Sequence, residues 1–124
     1  MDISFTDREL DVMAVLWEHG PSTVAEVRDR LADDLAYTTV LTVLRTLEEK
    51  GRVEHAAEGR AHRYRAIVER ETAGTSALRR LVDKLFRGSP DLLLTHLVSD
   101  RELRPRDLRK LQRLLEERIR EGER

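Results

Sequence analysis

Four threonines and one arginine lie close together in residues 37–46, a spacing that could serve base recognition. A helix advances 100° per residue, so these side chains share one side of it. Threonine is a poor helix former because its branched Cβ restricts χ1, and a property other than helix stability should favour it here. Short hydroxyls, methyls and a guanidinium can bind base edges or thymine methyls in the DNA major groove. The alternative is a solvated face that is merely rich in threonine. The outward set is Thr38, Thr42, Arg45 and Glu49, flanked by Thr39, Thr46 and Leu41.

A second candidate segment is basic and follows shortly after. Residues 59–65 read Gly-Arg-Ala-His-Arg-Tyr-Arg, and such residues near a hairpin tip suit contacts to phosphate or to the minor groove. The whole chain of 124 residues has a net charge of −1 and a pI of about 6.4, which counts against a nucleic-acid binder. Residues 36–67 nevertheless carry six basic and four acidic side chains, so one face is locally positive.

No pattern in the sequence matches a known catalytic or metal-binding site. The four histidines stand in no known catalytic motif, and there is no Gly-x-Ser-x-Gly or phosphate-binding glycine loop. His55 and His62 could approach each other across a hairpin, but two ligands do not make a metal site. The absence of cysteine excludes disulfides and thiolate ligands. We therefore expect no enzyme activity, no catalytic residues, no metal and no cofactor.

The uncharged, leucine-rich stretch from Leu92 to Ser99 is too short to cross a bilayer, and no signal-peptide pattern opens the chain. These features predict a cytoplasmic protein without a membrane partner.

Three helices are predicted to position the threonine face. Thr6 with Glu9 forms a capping box, Phe5 with Leu10 a hydrophobic staple, and Gly20-Pro21 ends the first helix. Its expected buried stripe is Leu10, Met13, Ala14 and Trp17. A second box, Thr23 with Glu26, opens a helix that buries Val24, Val27 and Leu31 and is broken by Asp33-Asp34. The third helix spans residues 36–50 and buries Val40, Val43, Leu44 and Leu47.

Two strands, residues 52–57 and 60–66, should follow, joined by a turn at Glu58-Gly59. Val53 and Tyr64 are expected to face the helices. Three helices followed by a basic β-hairpin predict a winged helix-turn-helix domain over residues 1–67. The fold class is therefore mainly α with a small β-hairpin wing.

Residues 68–124 are helical in pattern and rich in leucine. A lobe of this size buries too little surface to be stable alone, so we expect three helices that form a symmetric homodimer. The alternative is that these helices fold back on the winged helix of the same chain. The expected interface residues are Leu78, Leu81, Leu85, Leu93, Leu97, Leu108, Leu111 and Leu115.

The run LAYTTVLTVLRTLEEKG, residues 35–51, resembles the recognition-helix signature of the penicillinase-repressor family (the BlaI/MecI type), and GRAHRY, residues 59–64, resembles its wing. The opening pattern Thr6, Glu9, Met13 and Trp17 fits too. The resemblance implies a homodimeric repressor on palindromic operator DNA, in a family that controls β-lactamase or related resistance genes. By this resemblance, base contacts fall on Thr39, Thr42 and Arg45, helped by Thr38 and Thr46. Contacts to the DNA backbone fall on Tyr37, Arg60, His62 and Arg63.

Some members of that family are inactivated when a membrane sensor-protease pathway leads to cleavage in the dimerisation lobe, which adds such a pathway to the candidate partners. Cleaved members present an Asn-Phe bond where this chain has His96-Leu97, a departure that argues against this route. Without cysteines, copper sensing by thiolates is not expected, and Ala66 stands where many relatives carry proline. A winged helix that binds only another protein is the alternative function.

Overall fold

Residues 3–124 are described by a computed structural model and form six helices and three short strands. They fall into two compact units, one ending at Leu78 and one running from Arg79 to Arg124. The predicted domain boundary at 67/68 precedes the fourth helix, whereas the two compact units divide within that helix. That residues 1–67 and 68–124 have separate functions stays a prediction. The elements are α1 (Asp7–His19), β1 (Ser22–Thr23), α2 (Val24–Arg30), α3 (Tyr37–Glu49), β2 (Val53–Glu58), β3 (Ala61–Ala66), α4 (Arg70–Leu85), α5 (Pro90–Val98) and α6 (Pro105–Gly122).

Both predicted capping boxes are present. The Glu9 N–H donates to the Thr6 hydroxyl over 3.1 Å, and the Glu9 carboxylate accepts from the Thr6 N–H over 2.8 Å. Thr23 and Glu26 repeat this exchange at the start of α2, with distances of 3.2 and 2.9 Å. Gly20 ends α1 with a positive φ of 80°, a conformation that glycine adopts without steric cost. Local sequence therefore sets where α1 begins and ends and where α2 begins.

The buried side of α1 differs from the predicted stripe. Met13 is buried and Trp17 packs against the core, but Leu10 is 39% exposed and Ala14 also faces solvent. Phe5 packs edge-on against Trp17, with ring centroids 6.2 Å apart. The prediction for Leu10 and Ala14 was wrong because the inward face is centred one residue earlier in the helix than the predicted stripe. The buried α1 positions are Glu9, Val12, Met13, Val15 and Leu16.

Glu9 joins α1 to the end of α3. Its carboxylate is almost fully buried and lies 2.8 Å from the Lys50 ammonium, at the residue after α3. Burial alone would raise the pKa of Glu9, but hydrogen bonds from Lys50 and from Thr6 outweigh it and hold the pKa below its usual value. The carboxylate therefore stays charged inside the packed unit.

The sheet has one strand more than predicted. Its order is β1-β3-β2, all antiparallel, with Ser22 opposite Tyr64 and Thr23 opposite Arg63. A strand of two residues shows no alternation of apolar and polar side chains, so β1 left no signal in the sequence.

The hairpin is confirmed, but the predicted turn at Glu58-Gly59 was wrong by one residue. Glu58 pairs with Ala61, which leaves Gly59-Arg60 as the two-residue turn. Gly59 has a φ of 59°, and two-residue hairpin turns favour glycine at such positions.

The core of the first unit lies between α1, α2, α3 and the sheet. As predicted, α3 buries Val40, Leu44 and Leu47, with Val43 half-buried beside them. Val53 and Tyr64 are 1% exposed and cover the base of the core from the hairpin. The predicted winged helix-turn-helix, mainly α with a β-hairpin wing, is confirmed. The fully enclosed side chains are Tyr64, Met13, Leu44, Leu47, Val12, Val27, Val40, Val53 and Ser22.

The second unit consists of the end of α4 with α5 and α6. Ser89 caps α5 by accepting the Leu92 N–H, and Pro90 and Pro105 occupy the first turns of α5 and α6. No residue of α5 or α6 is buried. The predicted helical, leucine-rich character of this segment is confirmed.

Candidate nucleic-acid interface

The threonine side of α3 is open to solvent. Thr38, Thr39, Thr42 and Arg45 are exposed, and Thr46 is half-buried at the edge. The opposite side is anchored by side chains with no solvent exposure, so α3 is held firmly with this face outward. The exposure of each predicted base-contact residue agrees with the helical wheel, while its role on DNA stays a prediction.

Thr42 presents a specific hydrogen-bonding character. Its hydroxyl donates to the Thr38 carbonyl oxygen over 2.9 Å. A hydroxyl has one donor and two acceptor lone pairs, so Thr42 retains acceptor capacity and a methyl group. These groups match the amino groups of cytosine and adenine and the methyl of thymine in the major groove.

The start of α3 has no side-chain cap. Ala36 stands at the N-cap position, and no acidic residue occupies the first turn. The starts of α1 and α2, in contrast, are each closed by a threonine and a glutamate. Free N–H groups and the positive end of the helix dipole favour an anion. Tyr37, predicted to contact the backbone, is 45% exposed at this end.

The β2–β3 hairpin, called the wing below, carries the remaining predicted backbone contacts. Arg60 lies in the turn and is exposed. His62 is exposed, and its ring stacks on that of His55 with centroids 4.3 Å apart. Arg63 is different, because its guanidinium is bound by the carboxylates of Glu26 and Glu58. The wing therefore offers Arg60 and His62 directly, whereas Arg63 already has partners.

A side-chain contact fastens the wing to α3. The His55 ring Nδ1 lies 2.7 Å from the Glu48 carboxylate, which also accepts the His55 backbone N–H over 3.1 Å. Tyr64 lies beside this contact, 5.3 Å from the His55 ring. Burial raises the pKa of the Tyr64 hydroxyl and the Glu48 carboxylate adds to this, whereas Arg45 acts in the opposite direction. Residues of the wing and of the outer α3 face are thus electrostatic neighbours.

The eight leucines of the predicted dimer interface lie on α4, α5 and α6. Six of them are 37% exposed or more, namely Leu78, Leu81, Leu85, Leu97, Leu108 and Leu115, while Leu93 and Leu111 are half-buried. His96 lies in α5 with its ring 5.8 Å from that of Phe86, and Leu97 follows it in the same helix.

Within residues 3–124, no helix is both long and apolar enough to cross a membrane. The same residues bring together no group of three or more histidine, cysteine, aspartate or glutamate side chains suited to a metal ion. The close approach of His55 and His62 agrees with the hairpin pairing expected from the sequence.

Comparison with known proteins gives the family directly. The family model described as penicillinase repressor matches residues 5–117. The chain belongs to the penicillinase repressor family. It is 40% identical over 99 residues to the transcriptional regulator BlaI of Mycobacterium tuberculosis, covering 74% of this chain and 70% of that protein. It is 25% identical over 114 residues to the penicillinase repressor of Bacillus licheniformis, covering 90% and 89%. The family comprises transcriptional regulators rather than enzymes, and this member is a DNA-binding transcriptional repressor.

Solved structures support the fold. A MarR family protein from Bacillus stearothermophilus superposes with a TM-score of 0.53 at 17% identity, covering 98% of this chain and 78% of the other. A cysteine-to-serine mutant of MarR from E. coli gives 0.54 at 18% identity, covering 94% and 79%. Both are consistent with the winged-helix architecture that the penicillinase repressor sequence predicts.

The acidic partners in this region were not predicted from the sequence. Glu26 and Glu58 bind Arg63, and Glu48 binds His55. Part of this pairing was visible in the sequence. Glu54 and Glu58 are spaced to share one face of the first strand of the hairpin, and Arg63 and Arg65 share one face of the second. Opposite charges on the same face of paired strands attract, and Glu54 does contact Arg65.

Proposed function

We propose that this penicillinase repressor family member acts as a homodimer on a palindromic operator, with α3 of each protomer in a major groove. The observation that carries the proposal is the exposed threonine face of α3, backed by a fully buried opposite side. Thr38, Thr39, Thr42, Arg45 and Thr46 would contact bases. A bound dimer that covers a promoter would exclude polymerase.

In this proposal, contacts to the DNA backbone come from the start of α3 and from the wing. Tyr37 lies at the uncapped start of α3, and Arg60 and His62 lie on the wing. Phosphate contacts position a protein on DNA, whereas base contacts specify the sequence. The two recognition helices of a dimer would then meet half-sites about one helical turn, or a multiple, apart.

The dimer is supported by the leucine surface of the second unit. Many of its leucines are exposed within one chain, and monomers seldom expose large contiguous apolar patches. A second copy offers the same surface, and twofold pairing would cover both at once. In this proposal residues 1–67 recognise DNA and residues 68–124 hold the dimer.

Membership of this family suggests which genes the repressor controls and how it could be released from DNA. The name of the Bacillus licheniformis relative makes penicillinase or related resistance genes the first targets to test. A sensor-protease pathway would act at His96-Leu97, but that bond lies inside α5, and cleavage there would need local unfolding of the helix. Since its target is genomic DNA, the proposal places the protein in the cytoplasm.

The test compares Arg45→Ala with the parent on two duplexes, one selected from a random library by the full-length protein and one scrambled. We expect Arg45→Ala to weaken binding to the selected duplex by about 1–3 kcal/mol per half-site and to leave scrambled DNA nearly unaffected. Arg8→Ala is the control, because Arg8 lies on α1 and is paired with Asp11 and Asp33. Equal losses on both duplexes would mean that Arg45 contacts phosphate and would contradict the assignment.

A further inference from the structure

The guanidinium of Arg63 has hydrogen-bond partners within the protein that a role in contacting DNA does not explain. Its Nη1 nitrogen donates to Glu26 over 2.9 Å and to the Pro21 carbonyl oxygen over 3.1 Å. Its Nε and Nη2 nitrogens donate to the Glu58 carboxylate over 3.1 and 2.7 Å. All three guanidinium nitrogens are therefore occupied by this unit itself.

The partners of Arg63 come from three different elements. Glu58 ends β2, Pro21 precedes β1, and Glu26 stands in the first turn of α2. The Glu26 oxygen that accepts from Arg63 also accepts the Thr23 N–H of the capping box, over 2.9 Å. One side chain thus links the wing to the start of the helix-turn-helix.

A phosphate contact by Arg63 would conflict with these carboxylates. A phosphate near its guanidinium would also come close to Glu26 and Glu58, and like charges at an interface repel. The hydrogen bond to Glu58 raises the pKa of Arg63, while hydrogen bonds from Thr23, aided by Arg63, lower that of Glu26. Arg60, by contrast, lies exposed in the turn.

We propose that Arg63 is a positioning residue that holds the wing against the helix-turn-helix, and that it does not contact phosphate. The inference rests on the proposed function, in which wing and α3 meet the same operator. The planar guanidinium is needed because it binds two carboxylates and a carbonyl at once, which a lysine ammonium cannot reproduce in this geometry.

The first measurement needs no DNA. Amide hydrogen exchange of the free protein reports local opening, and Arg63→Ala should make the amides of β1 and β3 exchange severalfold faster. Arg60→Ala is the matched control and should leave these rates unchanged. Unchanged rates in Arg63→Ala would overturn the proposal, whatever the protein does on DNA.

The second measurement is the salt dependence of binding to the selected duplex. Each phosphate contact contributes about 0.9 to the slope of log K against log salt. Arg60→Ala should lower this slope by about 0.9 per wing, or about 1.8 per dimer. Arg63→Ala should lower affinity for the selected duplex about 2- to 30-fold, the range of residues that act indirectly, with the slope unchanged. Arg63→Lys should behave like Arg63→Ala; a lysine that restores affinity, or a slope that falls in Arg63→Ala, would overturn the proposal.

Glu58→Gln keeps the test decisive if Arg63→Ala does not fold. Removal of a negative charge near DNA should tighten binding if Arg63 contacts phosphate, because repulsion falls. If Arg63 positions the wing, Glu58→Gln should instead weaken binding to the selected duplex. Failure of the parent to distinguish selected from scrambled DNA would count against the proposed function only, since the exchange rates decide the role of Arg63 independently.

Discussion

Replacement of Lys50 by methionine tests how α3 is held in place. The substitution keeps most of the aliphatic stem but removes the ammonium 2.8 Å from the Glu9 carboxylate, which is 5% exposed. A hydrogen bond to a charged group contributes about 1.5–3 kcal/mol. Since Lys50 is 43% exposed and water reaches the pair, we expect a loss near the lower end, about 1.5–2 kcal/mol. With a typical dependence of the unfolding free energy on urea, the urea concentration at the unfolding midpoint should fall by roughly 1 M.

The effect should depend on pH in a defined direction. The pKa of Glu9 is lowered in the folded protein, so its stabilising contribution is present above the ordinary glutamate pKa and is lost as pH falls through the folded value. In Lys50→Met the pKa of Glu9 should rise, because burial then acts against fewer hydrogen bonds. The stability difference between parent and variant should therefore be largest at neutral pH and shrink in acid, as the pH falls through the lowered pKa of Glu9.

Urea unfolding followed by the fluorescence of Trp17 measures this change, since Trp17 is the single tryptophan and packs against the core of the first unit. Arg8→Met is the control, because it removes a cation from an exposed pair with Asp33, and such pairs contribute little. A loss of the same size at neutral and at acid pH, or no loss at neutral pH, would refute the role given to the Glu9–Lys50 pair.

Two further predictions concern the leucine surface and the core. Leu85→Glu should convert the proposed dimer to monomer in sedimentation equilibrium without loss of helix, because Leu85 is 66% exposed within one chain; Leu10→Glu, at an exposed leucine of α1, should leave the proposed dimer intact. A dimer that survives Leu85→Glu would exclude this position from the interface. Leu44→Ala should cost about 2–5 kcal/mol in urea unfolding, because Leu44 is fully buried beneath the threonine face; a cost below about 1 kcal/mol would show that α3 is loosely packed.

Features set by neighbouring residues were predictable from the sequence. The boxes at Thr6 and Thr23 depend on residues three positions apart, and both formed as expected. The inner face of α3 follows from the helical period alone, and its outer face is therefore known as well. These elements account for the winged-helix fold and for the exposure of its threonine face.

Features set by distant partners were not predictable in the same way. Strand β1 exists because Ser22 and Thr23 pair with β3, about forty residues later. The hairpin turn moved by one residue because Gly59 takes the positive φ and the register follows it. The charge of Arg63 suggested phosphate, but only the fold brings Glu26 to it. Charge alone could not distinguish a DNA contact from an internal ion pair.

The most direct test of the central claim is a dimethyl sulfate footprint of the parent protein on its selected duplex. Dimethyl sulfate modifies guanine N7 in the major groove and adenine N3 in the minor groove, and N7 is an acceptor that a recognition helix covers. We predict protection of guanine N7 in two clusters, about one helical turn or a multiple apart, related by the symmetry of the site. Guanine N7 that stays fully reactive in both half-sites, with protection confined to adenine N3, would contradict insertion of the α3 threonine face into the major groove.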